Sequence, residues 1–315
     1  MKLFTAALAA LALVTAPASA ETRVTYKSAK TGSSYYQMGV ELAEAIKAGT
    51  EGQIIVTVEE SQGSVQNVME VRARGAEYVF TTPPALVGLA QAGKAMFEGK
   101  GDPKFDEIRA LFPIPSLTMH FVMSDASGVT DFAGMADKTI LLGKGSFGAT
   151  EGEKYLKLFG LEGEVRIADV ELSNAVAALK NGQIDGFVTA GSWPAPNVIE
   201  AAASTGVTVL SLSDAEVAET GRTRIVIPAG TYAGQEADIV TTSLPVVAYA
   251  TSAMDDETAY QLTKTYWEQK AKMAQSAPWW KGVDKAMLGN IAGRIHTGAL
   301  RYYKEAGFPL TEAQM

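Results

Sequence analysis

The stretch EIRALFPIPSLTMHFVMSD, residues 107–125, is β-rich but far longer than the usual strand of about five or six residues, and it carries Pro113 and Pro115 near its middle. A second such stretch, DIVTTSLPVVAYATSAM, residues 238–254, carries Pro245. Each is long enough to leave one sheet and enter another, and proline is tolerated at strand edges and bends but not in a central ladder. One crossing out and one back predict a two-lobed protein. On either side the chain alternates strand and helix patterns: TRVTYKSA, SYYQMGVELAEAIKAG, QIIVTVEE, SVQNVMEVRARG and AEYVFTT before the first crossing, then KTILLG, ATEGEKYLKLFG, EVRIADV, SNAVAALKNG, IDGFVTAG, PNVIEAAAST and VTVLSLS before the second. Such alternation calls for an α/β fold with a mostly parallel sheet, in which ligands sit at the loops between strands and helices. Met38, Leu42, Ala45 and Ile46 fall on one helical stripe, with Glu41 and Glu44 off it. After Asp255 the pattern returns to helix, clearest in TAYQLTKTYWEQKAKM. The expected division is residues 21–115 plus 241–315 as lobe one and 116–240 as lobe two, with the two crossing strands as hinge and a ligand cleft between the lobes.

Composition narrows the function. At 315 residues and 47% hydrophobic content the chain exceeds the usual single core, which agrees with two lobes. It has no cysteine, so there is no disulfide, no thiolate chemistry and no zinc spacing. The opening MKLFTAALAALALVTAPASA reads as a secretory signal peptide over residues 1–20, with cleavage after Ala20 and the mature chain soluble in the periplasm. The formal net charge of −8 is scattered rather than blocked, which disfavours nucleic acid and anionic membrane surfaces as partners. Small anions stay open, because local backbone dipoles can outweigh global charge.

LLGKGSFGATEGEKYL, residues 141–156, contains Gly-x-Gly-x-x-Gly at Gly143, Gly145 and Gly148, and Asp169 follows where a ribose-binding acid belongs in a nucleotide fold. An exported protein meets little nucleotide cofactor, and the helix-start physics that holds a pyrophosphate also holds a carboxylate. No cofactor is expected. The Walker pattern fails, because Gly143-Lys144 is followed by Gly145, and Ser146 lacks the glycine two residues before it that a hydrolase elbow needs. The two histidines, His120 in an apolar β-like run and His296 in a helix-like tail, read as structural, so neither a metal nor a catalytic set is expected.

Five glycine- and hydroxyl-rich turns remain, each after a strand-like run and before a helix: KTGSSYY, SQGSVQN, FTTPPA, GKGSFGAT and TAGSWPAP. A helix start presents unpaired N–H groups and the positive end of a dipole, and Ser or Thr hydroxyls add directional hydrogen bonds. The candidate binding residues are Gly32, Ser33, Ser34, Tyr35, Tyr36, Ser61, Gln62, Thr81 and Thr82 on one lobe. On the other they are Ser146, Phe147, Gly148, Ala149, Thr150, Ala190 and Gly191. Successive helical residues diverge by about 100°, so of Tyr35 and Tyr36 one contacts ligand and one packs; Tyr35, nearer the helix start, is the expected contact. Lys144 is expected to stay peripheral, with Gly145 and Gly148 allowing close backbone approach. These residues suit a small organic acid: a dicarboxylate, a 2-oxoacid or an acidic amino acid such as glutamate. An exported enzyme acting on a small carboxylate is the alternative reading.

KTGSSYYQMG, GSVQN, NGQIDGFV followed by PAPNVIE, and PAGTYAGQ, in this order across nearly the whole mature chain, resemble the TAXI family, the substrate-binding proteins of TRAP transporters. The resemblance implies a two-lobed, non-enzymatic periplasmic receptor of type II-like fold, closing on a small organic acid and delivering it to a TRAP membrane permease with fused small and large components. It also implies that residues 32–36 line lobe one's side of the cleft and 146–150 lobe two's. A monomer is expected.

Overall fold

The computed structural model describes residues 21–144 and 146–315, so the signal-peptide reading over residues 1–20 and Gly145 of the glycine pattern lie outside the described residues. In chain order the elements are β1 (Thr22–Lys27), α1 (Ser34–Gly49), β2 (Ile54–Glu59), α2 (Ser64–Glu70), β3 (Tyr78–Thr82), α3 (Pro84–Gln91) and the first long strand, β4 (Ile108–Ser124). Then come β5 (Thr139–Leu141), α4 (Phe147–Leu158), β6 (Arg166–Ala168), α5 (Ala175–Lys180), β7 (Gly186–Gly191), α6 (Pro196–Thr205), β8 (Val207–Val209), α7 (Asp214–Thr220) and β9 (Thr223–Ile227). The second long strand, β10 (Ile239–Thr251), leads to α8 (Asp256–Ser276) and α9 (Thr297–Glu305). The stripe read from Met38, Leu42, Ala45 and Ile46 is the buried face of α1.

The architecture is a two-lobed α/β fold. Its strands form one curled sheet in the order β2-β1-β3-β10-β4-β7-β5-β6, with β8 on β4 and β9 on β10. The outer pairs β1–β2, β1–β3, β5–β6 and β5–β7 are parallel, as strand–helix alternation requires, while every pair made by β4 or β10 is antiparallel. The crossing strands therefore do not pass between two separate sheets. They run side by side and join both halves into one ladder, β4 pairing with β10 through residues 108–118 and with β7 through 118–123.

The prolines depart from the sequence reading. Pro113 stands opposite Val247 inside the β4–β10 ladder, and the register slips between Leu244 and Val246, at Pro245. The cost of proline there is limited because side chains satisfy the local carbonyls. Tyr303 donates its hydroxyl to Leu111 O at 2.8 Å, Tyr266 to Pro113 O at 2.6 Å and Tyr35 to Pro115 O at 2.9 Å. Alternate residues of a strand aim their carbonyls the same way, so three tyrosines from α9, α8 and α1 line up along one edge of β4. Phe112 stacks on Tyr266 with ring centroids 4.1 Å apart. α8 packs on α1 and α9 on α8, where Gly298 lets the helices meet: a Cβ there would overlap the Asp256 carbonyl.

Replacing Tyr266 by Phe keeps the stacking on Phe112 and leaves the buried Pro113 carbonyl without its donor. The expected loss is about 1–3 kcal/mol in a urea or guanidinium titration. A midpoint and slope unchanged from the parent protein would show that the carbonyl is satisfied without the tyrosine.

Candidate binding site

A cavity of about 60 Å³ lies where the two halves face each other. One wall is built from the ends of β1 and β3, the start of α1 and the turn between β2 and α2: Ser28, Lys30, Ser33, Tyr35, Gln62, Gly63, Ser64 and Thr81. The facing wall comes from the β5–α4 turn, the loop after β6, and β7, including Gly143, Ser146, Phe147, Gly148, Glu171 and Ala190. Leu117 of β4 and Val246 of β10 form the floor. The crossing strands thus contribute to the site as well as to its frame.

Three helix starts reach this space, those of α1, α2 and α4, and serine caps the first and the last. Ser33 caps α1, its Oγ accepting from Tyr36 N at 3.2 Å and donating to Lys30 O at 2.7 Å. Ser146 caps α4, its Oγ accepting from Ala149 N at 2.9 Å. The Ser33 hydroxyl is thus fully engaged with its own turn, while Ser146 keeps a proton to donate beside the first-turn N–H groups. Gly143, at φ 80°, takes a conformation that side chains rarely adopt, and a Cβ on it would sit 3.0 Å from Leu172.

Of the residues singled out in the sequence, Ser33, Tyr35, Gln62, Thr81, Ser146, Phe147, Gly148 and Ala190 line the cavity. The others stand elsewhere. Gly32 lines a neighbouring groove with Asn197 and Glu200. Ser34 is buried, its Oγ accepting from Ser192 N at 2.8 Å, and Gly191 packs so close that a Cβ would lie 2.6 Å from that oxygen. Ser61 donates to Ser28 O at 3.0 Å and accepts from Gly63 N at 2.9 Å, which shapes the turn before α2. Thr82 is buried in β3 opposite Val247, Ala149 is buried, Tyr36 is half-buried off the cavity and Thr150 is exposed. Gly148 lines the cavity, but its missing side chain serves packing: a Cβ would lie 2.9 Å from Ala190 Cβ, so the close approach is that of α4 to β7.

Tyr35 reaches the cavity wall and the hinge at once, since its hydroxyl bonds Pro115 O and its carbonyl accepts from Ser28 Oγ at 2.6 Å. Burial raises its pKa well above the usual tyrosine value. Lys144 touches the cavity rim with most of its side chain in solvent, and it pairs with Asp169 at 2.9 Å, which raises the lysine pKa. The residue placed to bind a ribose is thus an ion-pair partner. Sequence reading passed over Lys30 and Glu171, which lie 3.6 Å apart across the two halves. The signal for Glu171 was positional, since its loop follows β6 and precedes a helix as the five turns do, but it lacks glycine. Also missed was Asn67, fully buried, whose Nδ2 donates to Ser28 O at 2.7 Å and Thr81 O at 2.9 Å and so ties two cavity-lining strand ends together.

Both histidines are structural. Tyr232 Oη accepts from Ala195 N at 3.0 Å and so donates to His120 Nε2 at 2.9 Å, leaving Nδ1–H to donate to Thr118 O at 3.2 Å. His296 Nδ1 accepts from Gly298 N at 3.2 Å and caps α9, while Nε2 meets Met254 O at 3.0 Å.

The pattern of the NMT1-like family matches residues 27–307, and the chain belongs to that family. Among solved structures it is similar to the periplasmic binding protein BugD, with a TM-score of 0.57 at 12% identity over 91% of this chain and 98% of that one. It is also similar to MatC from Rhodopseudomonas palustris, solved with bound malate, with a TM-score of 0.55 at 12% identity over 85% and 96%. A third, described as a periplasmic transporter, gives 0.55 at 12% identity over 94% and 100%. At such identities the likeness is one of fold.

Burial in the neutral form lowers the His120 pKa to about 4, against about 6.5 in an unfolded chain. Between those values the unfolded state binds the extra proton, so stability is full above about pH 6.5 and falls as pH drops toward 4, by on the order of 3 kcal/mol from this group. Denaturation midpoints at pH 7 and pH 4.5 measure the loss, and His120→Gln should flatten it. An equal acid loss in that variant would assign the effect to other groups.

Proposed function

We propose that this protein is a periplasmic solute receptor of the TAXI type, which holds a small organic acid between its lobes and passes it to a TRAP-type secondary transporter whose small and large permease components are fused. It acts as a monomer after removal of residues 1–20, with residues 21–115 and 241–315 as one lobe and 116–240 as the other. The observation that carries this reading is a cavity divided between two halves, with the starts of α1 and α4 on opposite walls. Each start adds N–H donors and a positive dipole end, so an acid held by both draws the walls together. Malate in MatC supports a carboxylate as the class of ligand for such a fold.

The adjoining strands fit a hinge. β4 and β10 join the halves, and their ladder is already interrupted at Pro245, where backbone angles can change without breaking regular pairing. Ser34 and Ser192 bond beside this hinge, with Gly191 packed on the serine oxygen.

Two measurements test the proposal. The purified mature chain should show a ligand-dependent rise in melting temperature across a panel of small carboxylates, without turnover, and a smaller radius of gyration in solution scattering when saturated. A radius unchanged at saturation would remove the hinge, and no thermal response to any carboxylate would remove the acid receptor. Gly191→Ala should hold the halves apart by its clash with Ser34 Oγ, weakening binding about tenfold while circular dichroism stays unchanged. Full affinity in that variant would show that the Ser34–Ser192 contact is not part of the bound state.

A further inference from the structure

Charge and lining at the cavity define the acid more narrowly. Its apolar wall is drawn from both halves and from the hinge: Ala29, Leu117, Leu142, Leu172, Val188 and Val246. The charged groups on it are Lys30, Lys144 and Glu171. Lys30 Nζ lies 3.7 Å from Glu60 and 3.6 Å from Glu171, and Lys144 lies 2.9 Å from Asp169. Two ammonium groups thus face three carboxylates, one negative charge in excess. The side chains offer a ligand no uncompensated positive charge, and the donors left for an anion are neutral: the N–H groups at the starts of α1 and α4 and the side chains of Gln62, Ser64 and Thr81.

We infer that the site selects a monocarboxylate with a short apolar body over a dicarboxylate, a selectivity that rests on the acid-receptor reading proposed above. One carboxylate is matched by the helix starts. A second would add a charge that no free cation balances, against the apolar wall or beside Glu171, where like charges repel. Discrimination arises from what the wall refuses as much as from what it accepts. A cavity of about 60 Å³ keeps that body small.

The test uses the mature protein, freed of retained ligand by unfolding and refolding, and titration calorimetry with three probes: 3-methylbutanoate, butanedioate and 3-methylbutanamide. The first should bind at least about tenfold more tightly than either of the others. Butanedioate binding as tightly or more tightly would overturn the selectivity and leave the acid receptor standing. The amide matching the acid, or no heat from any probe at millimolar concentration, would overturn both. A second arm uses Asp169→Asn combined with Glu171→Gln, two exposed positions whose change releases the lysines. This variant should gain about tenfold for butanedioate at an unchanged melting temperature. No gain would show that the carboxylates do not set the selectivity.

Discussion

The structure depends on how one buried strand, broken by proline, keeps its carbonyls bonded. β4 crosses from one half to the other carrying Pro113 and Pro115, and a buried carbonyl without a donor costs on the order of a whole hydrogen bond. Tyr303, Tyr266 and Tyr35 supply the donors at residues 111, 113 and 115. Because these come from α9, α8 and α1, the same bonds fix the two C-terminal helices and the first helix on one edge of the strand. Placing α1 in this way sets its first turn at the cavity, so that Ser33 caps the helix and Tyr35 lines the wall. The return of the chain to helix after Asp255 gains its purpose here, since the frame of the first half is closed by residues from the end of the sequence.

Much of this was legible because periodicity is local. SYYQMGVELAEAIKAG coincides with α1, and each of the five turns stands between a strand and a helix, since Gly, Ser and Thr at a strand end signal both the turn and the cap. The long runs around Pro113 and Pro245 gave the crossing strands. Their pairing with each other was not legible, nor was a proline inside the ladder, because its tolerance depends on tyrosines 80 to 192 residues away in sequence. Within the turns, residue type did not reveal which way each side chain points. Ser33 and Ser34 are neighbours with the same chemistry, yet one caps a helix at the cavity and the other bonds Ser192 across the halves. The value of Gly148 was read as room for a ligand, whereas Ala190, 42 positions on, occupies that room. Lys30 with Glu171 is a pairing between halves, and no spacing rule announces it.

On the receptor reading, the fate of the hydroxyls favours recognition through the backbone. Ser28, Ser33, Ser61 and Ser146 each bond to main-chain groups of the strand ends and turns around the cavity. Their work is to hold the strand ends and helix starts in place, and Asn67 adds to it from beneath, bonding the carbonyls of Ser28 and Thr81. A polar group already bonded to the scaffold loses little when a ligand arrives, and each wall by itself is held in place before binding. The N–H groups that remain free of the helix ladder carry no identity of their own; they accept any anion of the right shape. Specificity then passes to the walls.

On the receptor reading this arrangement also accounts for how binding could drive closure. Among the described residues, the bonds between the halves at the site are few and small: one hydroxyl to a backbone N–H at Ser34–Ser192, and one ion pair at the rim between Lys30 and Glu171. An exposed ion pair contributes about 0–1 kcal/mol and a hydrogen bond about 1 kcal/mol, amounts comparable to the thermal energy that separates the halves. A ligand shifts such an equilibrium only by its differential affinity for the two states. An acid held between two helix starts on opposite walls has that differential by construction, because each wall alone offers one positive dipole end and only the joined walls offer both. A net charge of −8 over the chain does not oppose this, since surface charges beyond about 10 Å are screened while the helix starts act at contact. Weak contacts between the halves are therefore what allow a small anion to decide the conformation.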